Sequence, residues 1–201
     1  MEEQSSVAIE RVDTLIVLIG VILGLSIGKF VAFVGHLLVE RKQVRFSVPY
    51  AIFMLSLFVY QVYYWWSIWE LQYVGDIDFV DYLRMLLIPL LLYGATAVLA
   101  PDLEKHEGFA MRQHMDEHSR VFFGIAVVLI TTGILQGYHF WEQRGLQIWL
   151  RVAALGLVSL GLIFKSHVLN WILAMLLLLN AVVFVYAIVG GYQTIPELLG
   201  Q

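Results

Sequence analysis

Charged residues in this chain fall into clusters, and the stretches between the clusters are apolar. Residues 46–69, 85–101, 121–141, 152–164 and 166–196 hold no Asp, Glu, Lys or Arg, and residues 14–39 hold only Lys29. A helix needs about 20 mostly apolar residues to cross a hydrocarbon core of about 30 Å. The pattern predicts six spans, at 14–37, 46–69, 81–100, 121–141, 146–164 and 168–190, the fifth reached by reading back across Arg151. The runs are continuous, without the period-two alternation of a barrel wall. Lipid offers no partner to a free backbone N–H, so such runs must bond internally as helices. The expected fold is an all-α polytopic membrane bundle, one transmembrane domain over 1–201. Pro49 falls in the first turn of the second span, where its missing N–H is harmless. Pro89 is expected to kink the third span, and Pro101 and Pro196 read as stops.

Composition strengthens this picture. Of 201 residues 60% are hydrophobic and 14% charged, with a mean hydropathy of +0.80. An ordinary soluble domain carries about 25% charged residues and could not bury this much apolar surface. That excludes a disordered chain. The net charge of −4 and pI near 5.8 leave no basic footprint for nucleic acid. There is no Cys, which excludes disulfides, thiolate chemistry and Cys-ligated metal.

Lys and Arg set the orientation. The first, third and fifth loops hold seven (Arg41, Lys42, Arg45, Lys105, Arg112, Arg120 and Lys165), against four opposite (Arg11, Arg84, Arg144 and Arg151). The His-rich loop 101–120 is therefore expected in the cytoplasm of a cell with a cytoplasmic (inner) membrane, with both termini outside. The N-terminal Met-Glu-Glu-Gln lacks the basic start of a cleaved signal, so the first span reads as an uncleaved anchor.

Small residues recur every four positions at Gly20, Gly24, Gly28 and Ala32, and again at Gly133 and Gly137. Such stripes let helices approach closely. They are expected to be seams within the bundle, with a homo-oligomer as the alternative. Arg45 to Trp66 also aligns without gaps onto Arg120 to Trp141, matching Gln61, Tyr63 and Trp66 with Gln136, Tyr138 and Trp141. A parallel repeat of helix pairs follows from that alignment.

Two sets of side chains carry candidate chemistry. His114, Glu117 and His118 form an H-x-x-E-H pattern, in which imidazoles one turn apart can share a Zn²⁺ with Glu117 as general base. His106, Glu107 or Asp102 would supply a third ligand. A haem between His36, His118 and His167 is disfavoured, because none of them lies deep in a span. The second set is polar groups inside apolar runs: Lys29, Gln61, Thr131, Thr132, Gln136 and Asn180. An amide left unpartnered in lipid costs about 2–7 kcal/mol. Gln61 and Gln136 are therefore expected to face the bundle. With Tyr63, Trp66, Tyr138 and Trp141 they would form a solute pocket, with Glu70, Glu142 and His139 at its mouth to attract a cation. The leading reading is binding or translocation of a small solute or ion. A metal-dependent membrane enzyme is the second reading, and a non-catalytic membrane subunit or sensor the third.

Overall fold

The computed structural model describes residues 2–69, 78–102, 108–140, 146–164 and 166–198. Among these, the order is α1 (Glu2–Val39), α2 (Val48–Ser67), α3 (Phe79–Leu99), α4 (Met111–Phe140), α5 (Leu146–Ile163) and α6 (His167–Leu198). The chain is all-helical, as the continuous apolar runs require. Four segments are long and apolar enough to cross a membrane: Val12–Val39, Val48–Ser67, Phe79–Leu99 and Met111–Tyr138. They suggest a membrane location. The apolar parts of α5 and α6, Ile148–Ile163 and His167–Val183, are shorter.

Helix ends follow local chemistry. Pro49 opens α2 in its first turn. Asp78 caps α3, its carboxylate accepting from the Asp81 N–H at 2.7 Å. That satisfies one of the donors a helix N-terminus leaves orphaned. The helix stops at Leu99, ahead of Pro101, while Pro89 sits buried inside it. Pro196 does not stop α6, which runs on to Leu198.

α4 begins at Met111, well before the boundary expected at 121, so much of the supposed His-rich loop is helix. The reason is a buried stripe that continues below the charged positions. Met111, Met115, Ser119 and Phe122 are buried at helical spacing, while Arg112, Asp116 and Arg120 point away. A short parallel bridge fixes the start of this helix. Arg45 N donates to the Phe109 carbonyl at 2.8 Å and Met111 N to the Arg45 carbonyl at 3.2 Å. Gly108 turns the chain into the bridge with φ of +80°, a conformation that suits glycine.

Five helices form a ring. α3 packs against α4, α4 against α5, α5 against α6, α6 against α2, and α2 closes on α3. α1 lies outside the ring, mainly along α3. The ring is tightest where Phe123 on α4 lies over Gly161 on α5, edge-on to Phe53 of α2. The glycine stripe of α1 is not such a seam. Only Gly20 meets a neighbour, Trp65, while Gly24 and Gly28 are exposed with nothing close to them. Contact with α3 comes instead from the opposite side of α1, through Leu15, Ile19, Leu23 and Ser26. Leu and Ile bury more area there than glycine could.

Candidate functional site: a cavity inside the helix ring

The ring lines a partly open cavity of about 130 Å³, with wall residues from all five helices. Its two ends differ. At one end Phe53, Phe122 and Val158 make an apolar floor. At the other end stand Tyr60, Tyr63, Gly133 and Arg151. The polar end arises because α2 and α4 finish where α5 begins. Tyr60 and Tyr63 lie in the last turns of α2, and Arg151 lies in the second turn of α5.

The Arg151 guanidinium donates to the Gly133 carbonyl and to the Tyr63 hydroxyl. Burying a cation costs several kcal/mol unless hydrogen bonds replace its hydration. Nothing lies within 4 Å of where a Cβ at Gly133 would stand, so this contact to the carbonyl does not depend on glycine there. The tyrosines are held in turn. Tyr60 donates to Asn180 Oδ1 at 3.1 Å, Asn180 Nδ2 donates to the Leu150 carbonyl at 2.9 Å, and Tyr64 donates to the Met85 carbonyl at 2.9 Å. Ser56 lies one turn before Tyr60 on α2 and also lines the cavity. Its hydroxyl is buried and has no hydrogen-bond partner.

The expected pocket residues divide. Tyr63 lines the cavity. Gln61 and Gln136 are buried, 0% and 3% exposed, but both turn toward α3. Gln61 Nε2 donates to Thr96 Oγ1 at 2.7 Å, and Gln136 Nε2 donates to the Arg84 carbonyl. Trp66 and Tyr138 are each 68% exposed. Tyr63 and Tyr138, paired by the alignment, thus occupy unlike settings. So do the helix pairs: α3 and α4 pack closely, whereas α1 prefers α3 to α2. Glu70, Trp141 and Glu142 lie outside the described residues, as does the side chain of His139.

Lys29 is not isolated. Its ammonium sits 3.4 Å from Asp102, just past the end of α3, and both side chains keep some exposure. Such a pair is worth about 0–1 kcal/mol. Lys29→Met is accordingly expected to shift the thermal unfolding midpoint only slightly in detergent. A loss of folded protein would show that the pair does more than this.

Among the described residues the zinc arrangement does not assemble. His114 and His118 stack at 4.3 Å between ring centroids with planes 24° apart. A metal about 2.0–2.1 Å from a ring nitrogen must lie in that ring's plane, and near-parallel planes do not meet between the rings. One nitrogen of each ring also serves the backbone. His114 Nε2 bonds the Val98 carbonyl at 2.8 Å, and His118 Nδ1 bonds the His114 carbonyl at 3.1 Å. Glu117 accepts from Gln113 at 2.9 Å. Among the described residues no three His, Asp or Glu are placed to hold a metal ion. His106 and Glu107 lie outside them.

Arg151, Ser56 and Tyr60 are the site residues that sequence reasoning missed. The signal was present for Arg151, a charge flanked on both sides by an apolar helical run. The rule that marks Lys29, that an ionisable group within a span is a functional candidate, applies to it equally. No protein-family model, curated protein or solved structure matches this chain. The geometry therefore carries the functional argument.

Proposed function

We propose that this chain is a six-span integral membrane protein that binds a small solute in the cavity lined by α2 to α6. The observation that carries the reading is the cavity itself, with a mostly apolar wall, one cationic end and the unpartnered Ser56 hydroxyl. Binding sites take this form: a concave apolar surface with a few placed polar groups. The wall is completed by Ala154 and Val158 of α5 and Leu177 of α6. A ring that depends on these helices supports counting them as spans, although their apolar segments are short. A cavity of roughly 150 Å³ is known to admit benzene, so the solute is of about that size.

With Arg151 inside the bundle, the basic residues stand seven against three, an excess that supports a cytoplasmic position for the turns around Arg41 and Gly108 in a cell with an inner membrane. A reporter fused at Gly108 is expected to read as cytoplasmic, and an external reading would reverse the topology.

Filling the cavity tests the function. Ala126 is buried on its wall. Ala126→Phe is expected to abolish binding of benzyl alcohol to the protein in nanodiscs while leaving folded yield near that of the parent. Saturation-transfer NMR against protein-free nanodiscs reads the result. Equal binding by parent and variant would place the solute elsewhere.

A further inference from the structure

We infer that the solute is a small acid, with a carboxylate or comparable anionic head at the Arg151 end and an apolar body against Phe53, Phe122 and Val158. The inference rests on the cavity reading above and names the ligand class of that site.

The charge on the wall favours an anion. A guanidinium can only donate, and it carries a full positive charge at every physiological pH. Tyr60 and Tyr64 spend their protons on Asn180 and the Met85 carbonyl, so towards a ligand their oxygens only accept, and the pull on an anion comes from Arg151 and Ser56. Ser56 carries a hydroxyl with nothing to bond. No Asp or Glu is among the described residues lining the cavity. A low-dielectric wall strengthens the field of the guanidinium, so an anion is attracted and a cation repelled. This is opposite in sign to the cation that the sequence reading of Glu70 and Glu142 leads one to expect.

Shape limits the rest. Arg151, Tyr63 and Gly133 mark one end, and the two phenylalanines with Val158 mark the other. A ligand bridging these ends carries its charge at one end only. The volume of about 130 Å³ suits a body near the size of one ring and is too small to take up a whole long acyl chain. Carboxylates reach a membrane site both as free acids from water and as fatty acids from lipid. The volume favours the first source.

The experiment uses the whole chain in phosphatidylcholine nanodiscs with three probes of matched shape: benzoate, benzyl alcohol and benzylammonium. A hydrogen bond to a charged group is worth enough to change affinity about tenfold or more. Benzoate is expected to bind about tenfold or more tighter than benzyl alcohol, with benzylammonium at the level of empty nanodiscs. Arg151→Gln is expected to remove that preference, bringing benzoate down to the level of benzyl alcohol, whereas Arg151→Lys keeps part of it. Should Arg151→Gln fail to fold, Ser56→Ala and the three-probe comparison on the parent decide. Ser56→Ala is expected to weaken benzoate several-fold. Oleate in the bilayer is expected not to displace benzoate, and displacement would overturn the assignment to a small acid.

The failures are separable. Benzyl alcohol binding as tightly as benzoate, with both lost in Ala126→Phe, would overturn the acid and retain the cavity. Absence of binding by every probe would overturn both.

Discussion

Gly161→Leu is expected to prevent the folded protein from accumulating, and Gly161→Ala to lower its thermal midpoint. A Cβ at Gly161 would stand 2.7–2.8 Å from three ring atoms of Phe123, well inside contact distance. The Phe123 ring has nowhere to go. It is 0% exposed, with Phe53 edge-on at 5.6 Å and Phe122 at 5.3 Å. Overpacking a rigid core costs typically about 1–3 kcal/mol, and more as added atoms multiply. Alanine recovers up to about 1 kcal/mol of helix propensity over glycine, so its net effect is smaller than that of leucine but of the same sign. Gly24→Ala is the control. Nothing lies within 4 Å of that position, so it is expected to be neutral or mildly stabilising. Phe123→Leu should partly rescue Gly161→Ala by thinning the ring that blocks it. A parent-like midpoint for Gly161→Ala would show that α4 and α5 slide apart freely.

The apolar runs made the helices legible because in such a chain the backbone has few alternatives. Lipid leaves helix as the only way to satisfy a continuous apolar run, so run length and helix length agree closely for α2, α3 and α5. What the runs could not supply is which face of each helix meets which neighbour. Gly20, Gly24 and Gly28 read as a seam because small residues permit close approach. The seam forms instead at Gly161, a lone glycine without a pattern, because a phenylalanine happens to face it. Long-range pairing of that kind is invisible in a single sequence.

The aromatic end of α2 was legible only in part. Six rings within ten residues cannot all face lipid, and the structure divides them. Tyr60, Tyr63 and Tyr64 turn into the ring, while Trp65, Trp66 and Trp69 turn out. The division follows their polar tips, since a phenol inside the bundle finds carbonyls and amides. The role of Arg151 was hidden by its position. The sequence marks it as a charge within an apolar run, but only the end of α4, folded beside it, makes it a cavity wall.

Thr96→Val is expected to be the most damaging single polar substitution, and Gln61→Leu one of the mildest. Thr96 Oγ1 joins three helices. It accepts from Ser26 of α1 at 3.0 Å and from Gln61 of α2 at 2.7 Å, and it donates to the Leu92 carbonyl of its own helix at 2.8 Å. Valine has nearly the same shape, so the substitution removes hydrogen bonds without opening a hole. It strands the Gln61 amide, which is 0% exposed, and removes the acceptor that Ser26 uses. An orphaned buried donor costs about 1–3 kcal/mol. Measured hydrogen bonds between membrane helices average nearer 0.6 kcal/mol because freed groups find new partners. Ser26 can turn to its own helix backbone, so the cost falls mainly on Gln61. Gln61→Leu works differently. It removes one satisfied donor together with Oε1, which is buried and has no partner. Those changes oppose each other, and Thr96 keeps its bond to Ser26. The two substitutions together should therefore be more stable than Thr96→Val alone, a coupling that a double-mutant cycle reads directly. Thermal midpoints of the three variants in one detergent provide the measurement. If Gln61→Leu proves as damaging as Thr96→Val, and the double variant no better than either, the amide acts through a group other than Thr96, and its Oε1 becomes the atom to pursue.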